Sequence, residues 1–217
     1  KLLLKLPETE RLQFMAGQYL EFLLKYGKRR AFSIANAPHN DEYIELHIGH
    51  VPDGHFGDFV FDGLKEKTLM RIEGPLGSYF LREDNERPII LMGGGTGFAP
   101  LKGMLEHAFY INLDCPIHLF CGVRAKQDLY MDEMVHQWLK QHANLKYTAV
   151  LSEPAAEDNW QGETGFVHES VVKHYPDLSG YDVYLSGPPP MVKAGMDLFY
   201  EKGLPETQIY SDLFYNS

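Results

Sequence analysis

In "YIELHIGH" (residues 43–50) apolar and polar side chains alternate. Ile44, Leu46 and Ile48 point one way, Glu45 and His47 the other. A period of two marks a strand with one buried face. "KLLLKL" (1–6), "GQYLEFLL" (17–24), "RRAFSIAN" (29–36) and "TLMRIEG" (68–74) are four further short strand candidates, separated by turn-rich pieces such as "APHNDE". The first 84 residues are therefore expected to form an antiparallel β domain.

The pattern then changes. "PIILM" (88–92), "PIHLFCG" (116–122), "KYTAVL" (146–151) and "YDVYLSG" (181–187) are compact apolar runs, as in strands buried on both faces of a parallel sheet. Helical stretches separate them. From Leu101, apolar residues recur at Met104, Leu105 and Ala108, the spacing of one helix face. Strand and helix in alternation predict a doubly wound α/β domain over residues 85–217, with the seam in the charged "REDNERP" (82–88).

Between the run "PIIL" and that helix lies "MGGGTGFAP" (92–100), with glycine at 93, 94, 95 and 97. Such a strand–turn–helix lets a ligand meet bare backbone N–H groups at a helix N-terminus, which suits a pyrophosphate. The helix is predicted to begin near Thr96, with Pro100 tolerated in its first turn. A tight turn alone needs fewer glycines. The spacing is neither G-x-G-x-x-G, because Phe98 stands at the sixth position from Gly93, nor a P-loop with its Lys-Ser/Thr end.

Bulk properties narrow the field. The chain has 217 residues and a net charge of −10, with no basic block, which argues against nucleic acid as a partner. No apolar run approaches the roughly 20 residues of a membrane helix, and no signal peptide is evident, so membrane insertion is not expected and the cytoplasm is the default location. Two cysteines, Cys115 and Cys121, cannot make a structural zinc site or an iron–sulfur cluster by themselves. The histidines are scattered, and no metal site is predicted.

At this point the residues carry a resemblance. G-G-G-T-G-x-A-P is similar to the pyridine-nucleotide loop of the ferredoxin–NADP reductase superfamily. "MAGQY" (15–19), "RAFS" (30–33), "GPLGSYF" (74–80), "CGVRAKQDLY" (121–130) and "LSGPPPM" (185–191) resemble further motifs of that family, in its order. Within it, "GKRRAFSIANAPH", "FLRED" and "GETGFVHESV" look most like reductases of the CDP-6-deoxy-glucoseen reductase type, with NAD(P)H–flavin reductases and oxygenase reductase components close behind. The resemblance implies a six-stranded antiparallel flavin-binding β-barrel followed by an NAD(P)H-binding α/β domain. Five strands and a start already inside an apolar run lead to the expectation of a strand upstream of Lys1.

The resemblance also implies roles. Arg30 would sit on the phosphate side of FAD, Ser33 near the isoalloxazine, with Ala31 and Phe32 between them. His47, Ile48 and Gly49 would line the flavin, although His47 also reads as a plain exposed strand histidine. Gly54, His55, Phe56 and Gly57 would open a short helix facing the FAD pyrophosphate. Relatives often place Ser or Thr where Gly57 stands, which leaves FAD over FMN open. Gly94, Gly95, Thr96, Gly97 and Pro100 would hold NADH or NADPH, with Gly122 and Arg124 by the adenosine ribose, where Lys126 also follows. Ser186 stands where the family often has cysteine near the nicotinamide, and Gly187, Pro188 and Met191 would shape that pocket. Asp212 and Phe214, in "SDLFY", would lie near the flavin face, or in the core.

The implied activity is a hydride taken from NAD(P)H onto FAD and electrons passed to an acceptor. The acceptor is either a [2Fe–2S] centre on an upstream domain or partner protein, or free flavin as substrate. A flavin or nucleotide sensor that kept the fold without catalysis is a third reading, which Ser186 and Gly57 permit.

Overall fold

The structure, a computed structural model, describes residues 1–50, 55–84 and 86–212, with the backbone alone at His55. Two compact units emerge. Lys1–Leu81 with Ala99–Tyr110 make the first, Arg82–Phe98 with Ile111–Leu213 the second.

Among the described residues the first unit has five strands, β1 (Leu2–Leu4), β2 (Tyr19–Leu23), β3 (Arg29–Ser33), β4 (Ile44–Leu46) and β5 (Ile72–Leu76). All pairings are antiparallel, in a two-stranded sheet β1-β4 and a three-stranded sheet β3-β2-β5. A bridge between Ile34 and Leu46, with Ala35 N–H donating to Glu45 O (2.8 Å), joins the two. The expected alternation holds in β4, where Ile44 and Leu46 are buried and Glu45 faces away. Leu20, Phe22, Ile34, Ile44 and Leu46 form the core, closed by Phe56 from the short helix α1 (His55–Asp58).

One expectation is corrected here. The strand ends at Leu46, and His47 is buried rather than exposed, at 6% relative exposure. Its Nε2 lies 2.8 Å from Glu45 Oε1, a partner that makes burial of an imidazole tolerable.

The second unit holds a six-stranded parallel sheet: β6 (Ile89–Gly94), β7 (Ile117–Val123), β8 (Leu145–Leu151), β9 (Glu163–Thr164), β10 (Asp182–Ser186) and β11 (Ile209–Asp212). Its order is β11-β10-β6-β7-β8-β9. The chain runs outward from β6 to β9, then returns to the other side of β6 for β10 and β11. Strand order thus reverses between β6 and β10, and in open α/β sheets ligands bind at the carboxyl ends of strands beside such a reversal. β6 and β10 are buried along their whole lengths, which explains the apolar run Ile89–Met92 of β6 and the apolar centre Val183–Leu185 of β10. The helices are α2 (Phe98–Tyr110), α3 (Asp132–Gln141), α4 (Val167–His174) and α5 (Pro189–Glu201), and α2 belongs with the first unit.

Candidate functional site

In the first unit the sheet register collects motifs that are far apart in sequence. Tyr19 pairs with Ser33 of β3 on one side and with Leu76 of β5 on the other. Gln18 binds the segments further, its Nε2 donating to Gly77 O (2.9 Å) and its Oε1 accepting from Met15 N–H (2.8 Å). Leu81 N–H donates to Ala16 O (3.0 Å). "MAGQY", "RAFS" and "GPLGSYF" therefore meet at one end of the three strands. Ser33 and Tyr19 are half-buried there, and Gly77 and Ser78 are exposed.

Neighbouring side chains on β3 have different duties. Arg29 is held by two carboxylates, Glu21 (2.8 Å) and Glu73. Arg30, opposite Phe22 in the ladder and half-buried, donates from Nη1 to Arg29 O (2.8 Å). Phe32 and Phe56 turn to the core, where each ring lies within 6 Å of Phe22 (5.8 and 5.1 Å between centroids). Both rings help to close a small β core, Phe56 buried and Phe32 half-buried. Ala31 is half-buried, Ile48 packs at the edge of that core, and Gly49 is exposed. Gly57 is half-buried on α1, while Gly54 lies outside the described residues, as does the side chain of His55.

In the second unit Ser186, at the carboxyl end of β10, stands in register between Gly93 of β6 and Asp212 of β11. Ser186 and Asp212 are both buried (2% and 7%). Two residues read from separate motifs are thus neighbours at the strand reversal. Phe214 lies outside the described residues.

The glycine turn follows β6 as a 3₁₀ turn, Gly95–Gly97, and the α-helix begins at Phe98, two residues later than expected. Pro100 falls within its first turn. Gly95 has φ +53° with open space where a side chain would be, and Gly95 and Thr96 are exposed. Gly97 is buried and lies directly against the Ser186–Gly187 backbone. This is a bare-backbone cradle with room outside it, and it fits a pyrophosphate. Gly94 and Gly187 approach Met191, and Pro188 precedes the first turn of α5. Gly122 has a packing reason of its own. A Cβ there would fall 2.5 Å from Val167 Cβ, so the missing side chain makes room for α4. Arg124 is exposed, and Lys126 Nζ donates to Asp158 O (3.2 Å).

The sequence reading passed over the wall beside this turn. Gly93, Gly95, Phe98, Cys121, Tyr130 and Tyr147 help to line a small cavity of about 20 Å³. Tyr130 meets Phe98 edge to face (6.1 Å between centroids). Tyr147 OH donates to Asp132 Oδ1 (2.8 Å), and burial pushes the Cys121 thiol up to about 12, so it stays protonated. The signal available in the sequence was "QDLY" (127–130), which follows Arg124 and Lys126.

Comparison with known proteins agrees with this geometry. Residues 1–80 match the oxidoreductase FAD-binding domain, and residues 91–196 match the oxidoreductase NAD-binding domain. The chain is thus built of a flavin-binding and a nicotinamide-nucleotide-binding domain of oxidoreductase type. It is 42% identical over 211 residues to CDP-6-deoxy-L-threo-D-glycero-4-hexulose-3-dehydrase reductase of Yersinia pestis, covering 97% of this chain and 63% of that protein. It is 33% identical over 204 residues to the ferredoxin–NAD(P)(+) reductase component of the naphthalene 1,2-dioxygenase system of Pseudomonas putida, covering 94% and 61%. The crystal structure of the Amycolatopsis cytochrome P450 reductase GcoB superposes with a TM-score of 0.87 at 34% identity, covering 94% of this chain and 62% of that one. The chain belongs to the ferredoxin–NADP reductase superfamily, and it spans less than two thirds of the length of these relatives.

Proposed function

We propose that this chain is the reductase portion of an electron-transfer flavoprotein, with FAD held by the first unit and NADH or NADPH by the second. The register Gly93–Ser186–Asp212 at the strand reversal, beside an open glycine turn, carries the reading. It supplies a nucleotide cradle and two buried polar groups at one point. The two cofactors together supply hydride transfer from nicotinamide to flavin and the release of electrons singly.

The chain's own residues bind and orient. Gly95 and Thr96 present backbone N–H groups to the dinucleotide pyrophosphate, and the Ser186 hydroxyl and Asp212 carboxylate place the nicotinamide. Arg30 pairs with the flavin diphosphate. Ser33 offers a hydroxyl where the flavin ring gains electron density. In this reading the acceptor is an iron–sulfur centre on a further domain or a partner protein. That assignment is supported by relatives named as ferredoxin–NAD(P)(+) reductase components. Two free, buried cysteines suit a reducing cytoplasm, and among the described residues no helix is long and apolar enough to cross a membrane.

The test is to supply pure protein with micromolar FAD or FMN, remove unbound flavin, and follow NADH and NADPH oxidation with ferricyanide. Bound FAD and steady turnover are expected. Protein that retains neither flavin, or oxidises neither nucleotide, sinks the proposal. Turnover that needs added free flavin would assign flavin as substrate instead.

A further inference from the structure

Helix α2 carries a lysine on its buried side. Lys102 is 3% exposed, and its Nζ lies 2.8 Å from Glu106 Oε1 one turn on, 3.5 Å from Glu45 Oε1 and 3.2 Å from Ala35 O. Glu45 Oε1 also meets His47 Nε2 (2.8 Å) and Lys1 Nζ (3.1 Å). At the next residue, Gly103, an added Cβ would stand 3.0 Å from Asn36 O and 3.3 Å from Ile34 O. The helix backbone therefore rests closely on residues 34–36, and its one buried cation reaches across to Glu45.

What these two residues touch is continuous with the segments proposed to hold the flavin. Residues 34–36 follow Ser33 directly, and Glu45 leads into residues 47–49. The helix itself starts where the glycine turn, Gly95–Gly97, ends. Lys102 adds stability through the charge of Glu45, yet a stable core at this place could also be built without a lysine. A methionine would fill the same stem volume with no charge to desolvate, and apolar replacement of buried ion pairs is often neutral for folding. Unlike an apolar contact, an ion pair with several acceptors fixes one direction and one register.

We propose that Lys102 is a positioning residue for hydride transfer, holding α2, and so the helix end fed by the nucleotide turn, in one register on the strand ends that carry the flavin segments. The inference rests on the function proposed above. A misplacement of about 1 Å between reacting partners can cost roughly 10²-fold in rate, so a small loss of register is measurable.

Two variants probe the same lever by different means. Lys102→Met removes the charge and keeps the stem, whereas Gly103→Ala keeps the charge and lifts the helix by a few tenths of an ångström. In each, flavin content, NAD(P)H affinity and single-turnover flavin reduction are measured on FAD-loaded full chain. Hydrogen exchange of the α2 amides is measured on the flavin-free protein. Flavin content should hold and nucleotide affinity should change less than about threefold, while the reduction rate falls about tenfold or more and α2 exchange rises. A purely structural lysine would instead lower thermal stability and flavin content, with a wild-type rate in the fraction that stays loaded. That result, or wild-type rate or exchange in either variant, overturns the proposal; if Lys102→Met does not fold, Gly103→Ala decides. Wild-type protein reduced by neither nucleotide would sink the proposed function itself, whereas reduced wild type with unaffected variants sinks only this inference.

Discussion

Gly97 lies against the main chain of Ser186. A Cβ built on Gly97 would fall 2.3 Å from the Ser186 carbonyl oxygen and 2.5 Å from Gly187 Cα. Both neighbours are backbone, so neither can swing aside. The glycine turn after β6 and the turn after β10 are thereby locked at the strand reversal. Gly95, two residues earlier, differs in kind: its φ is +53°, and nothing lies within 4 Å of its added Cβ.

This contrast separates two substitutions. Gly97→Ala must move backbone, at a cost of about 3 kcal/mol, the upper end for overpacking. Gly95→Ala pays only the left-handed φ, about 1 kcal/mol. For a chain of this length the melting temperature should fall about 6–12 °C in the first variant and about 2–4 °C in the second. NAD(P)H affinity should drop more than about tenfold for Gly97→Ala, because the whole turn shifts. Thermal unfolding and nucleotide titration of both variants check this, and equal effects at the two positions would remove the close approach as the reason for glycine.

Most strands were readable because burial writes itself into local periodicity. β6 and β10, covered on both faces, show compact apolar stretches, Ile89–Met92 and Val183–Leu185, and β4 shows an alternation. β9, with two residues, is too short to show a period, and β11, "IYSD", is an edge strand ending in a buried Asp212 that looks polar in sequence. Lys102 was invisible for a related reason. The helix face was read from Met104, Leu105 and Ala108, and a lysine on that face makes sense only once Glu45 and Ala35, far away in the chain, are seen beside it. The burial of His47 beside Glu45 was hidden for the same reason. The glycine turn was recognised from four glycines, but which glycine answers to φ and which to contact required the neighbouring strand.

Ser33 shares its register position with Tyr19 at the end of the strands where three motifs meet. If its hydroxyl supports the flavin as electron density builds there, Ser33→Ala removes one hydrogen bond to a charged group. Such a bond contributes roughly 1.5–3 kcal/mol, so single-turnover flavin reduction should slow by about tenfold or more. NAD(P)H affinity and thermal stability should hardly change. Stopped-flow reduction of the variant reads the effect, and an unchanged rate would leave Ser33 a structural residue.

Glu45 is the acid-sensitive point of the first unit. Burial alone would raise its pKa, but the His47 hydrogen bond and the charges of Lys102 and Lys1 outweigh it and hold the carboxyl at about 2. A carboxyl depressed on folding stabilises fully above its unfolded value, near 4.5, and that stability is lost as pH falls through the folded one. The contribution is on the order of 3 kcal/mol at neutral pH. Glu45→Gln should therefore be clearly less stable than wild type at pH 7, with the gap narrowing towards pH 2.5. Urea unfolding across that range tests it, and a gap independent of pH would show that Glu45 acts through packing rather than charge.

His118 gives the second unit an acid response of its own, in a different window. Its ring is buried on β7, with Nδ1 2.8 Å from Tyr175 OH and Nε2 2.9 Å from Thr148 Oγ1. The two hydroxyls can serve one donor and one acceptor, so the site suits the neutral imidazole. Burial, reinforced by the charges of His174 and Lys146, pushes the pKa down to about 4, with Glu163 pulling weakly the other way. The sign follows from that depression. The unfolded chain takes up a proton below about 6.5 and the folded one only near 4, so stability is lost as pH falls across that window and levels off beneath it. The loss is about 3 kcal/mol. His118→Gln, which keeps a donor and an acceptor but cannot titrate, should flatten the stability profile between pH 4 and 6.5 and leave the fold intact. Proton-detected titration of the wild-type imidazole provides the direct check: it should remain neutral at pH 5.5, and a midpoint near 6.5 would refute the assignment.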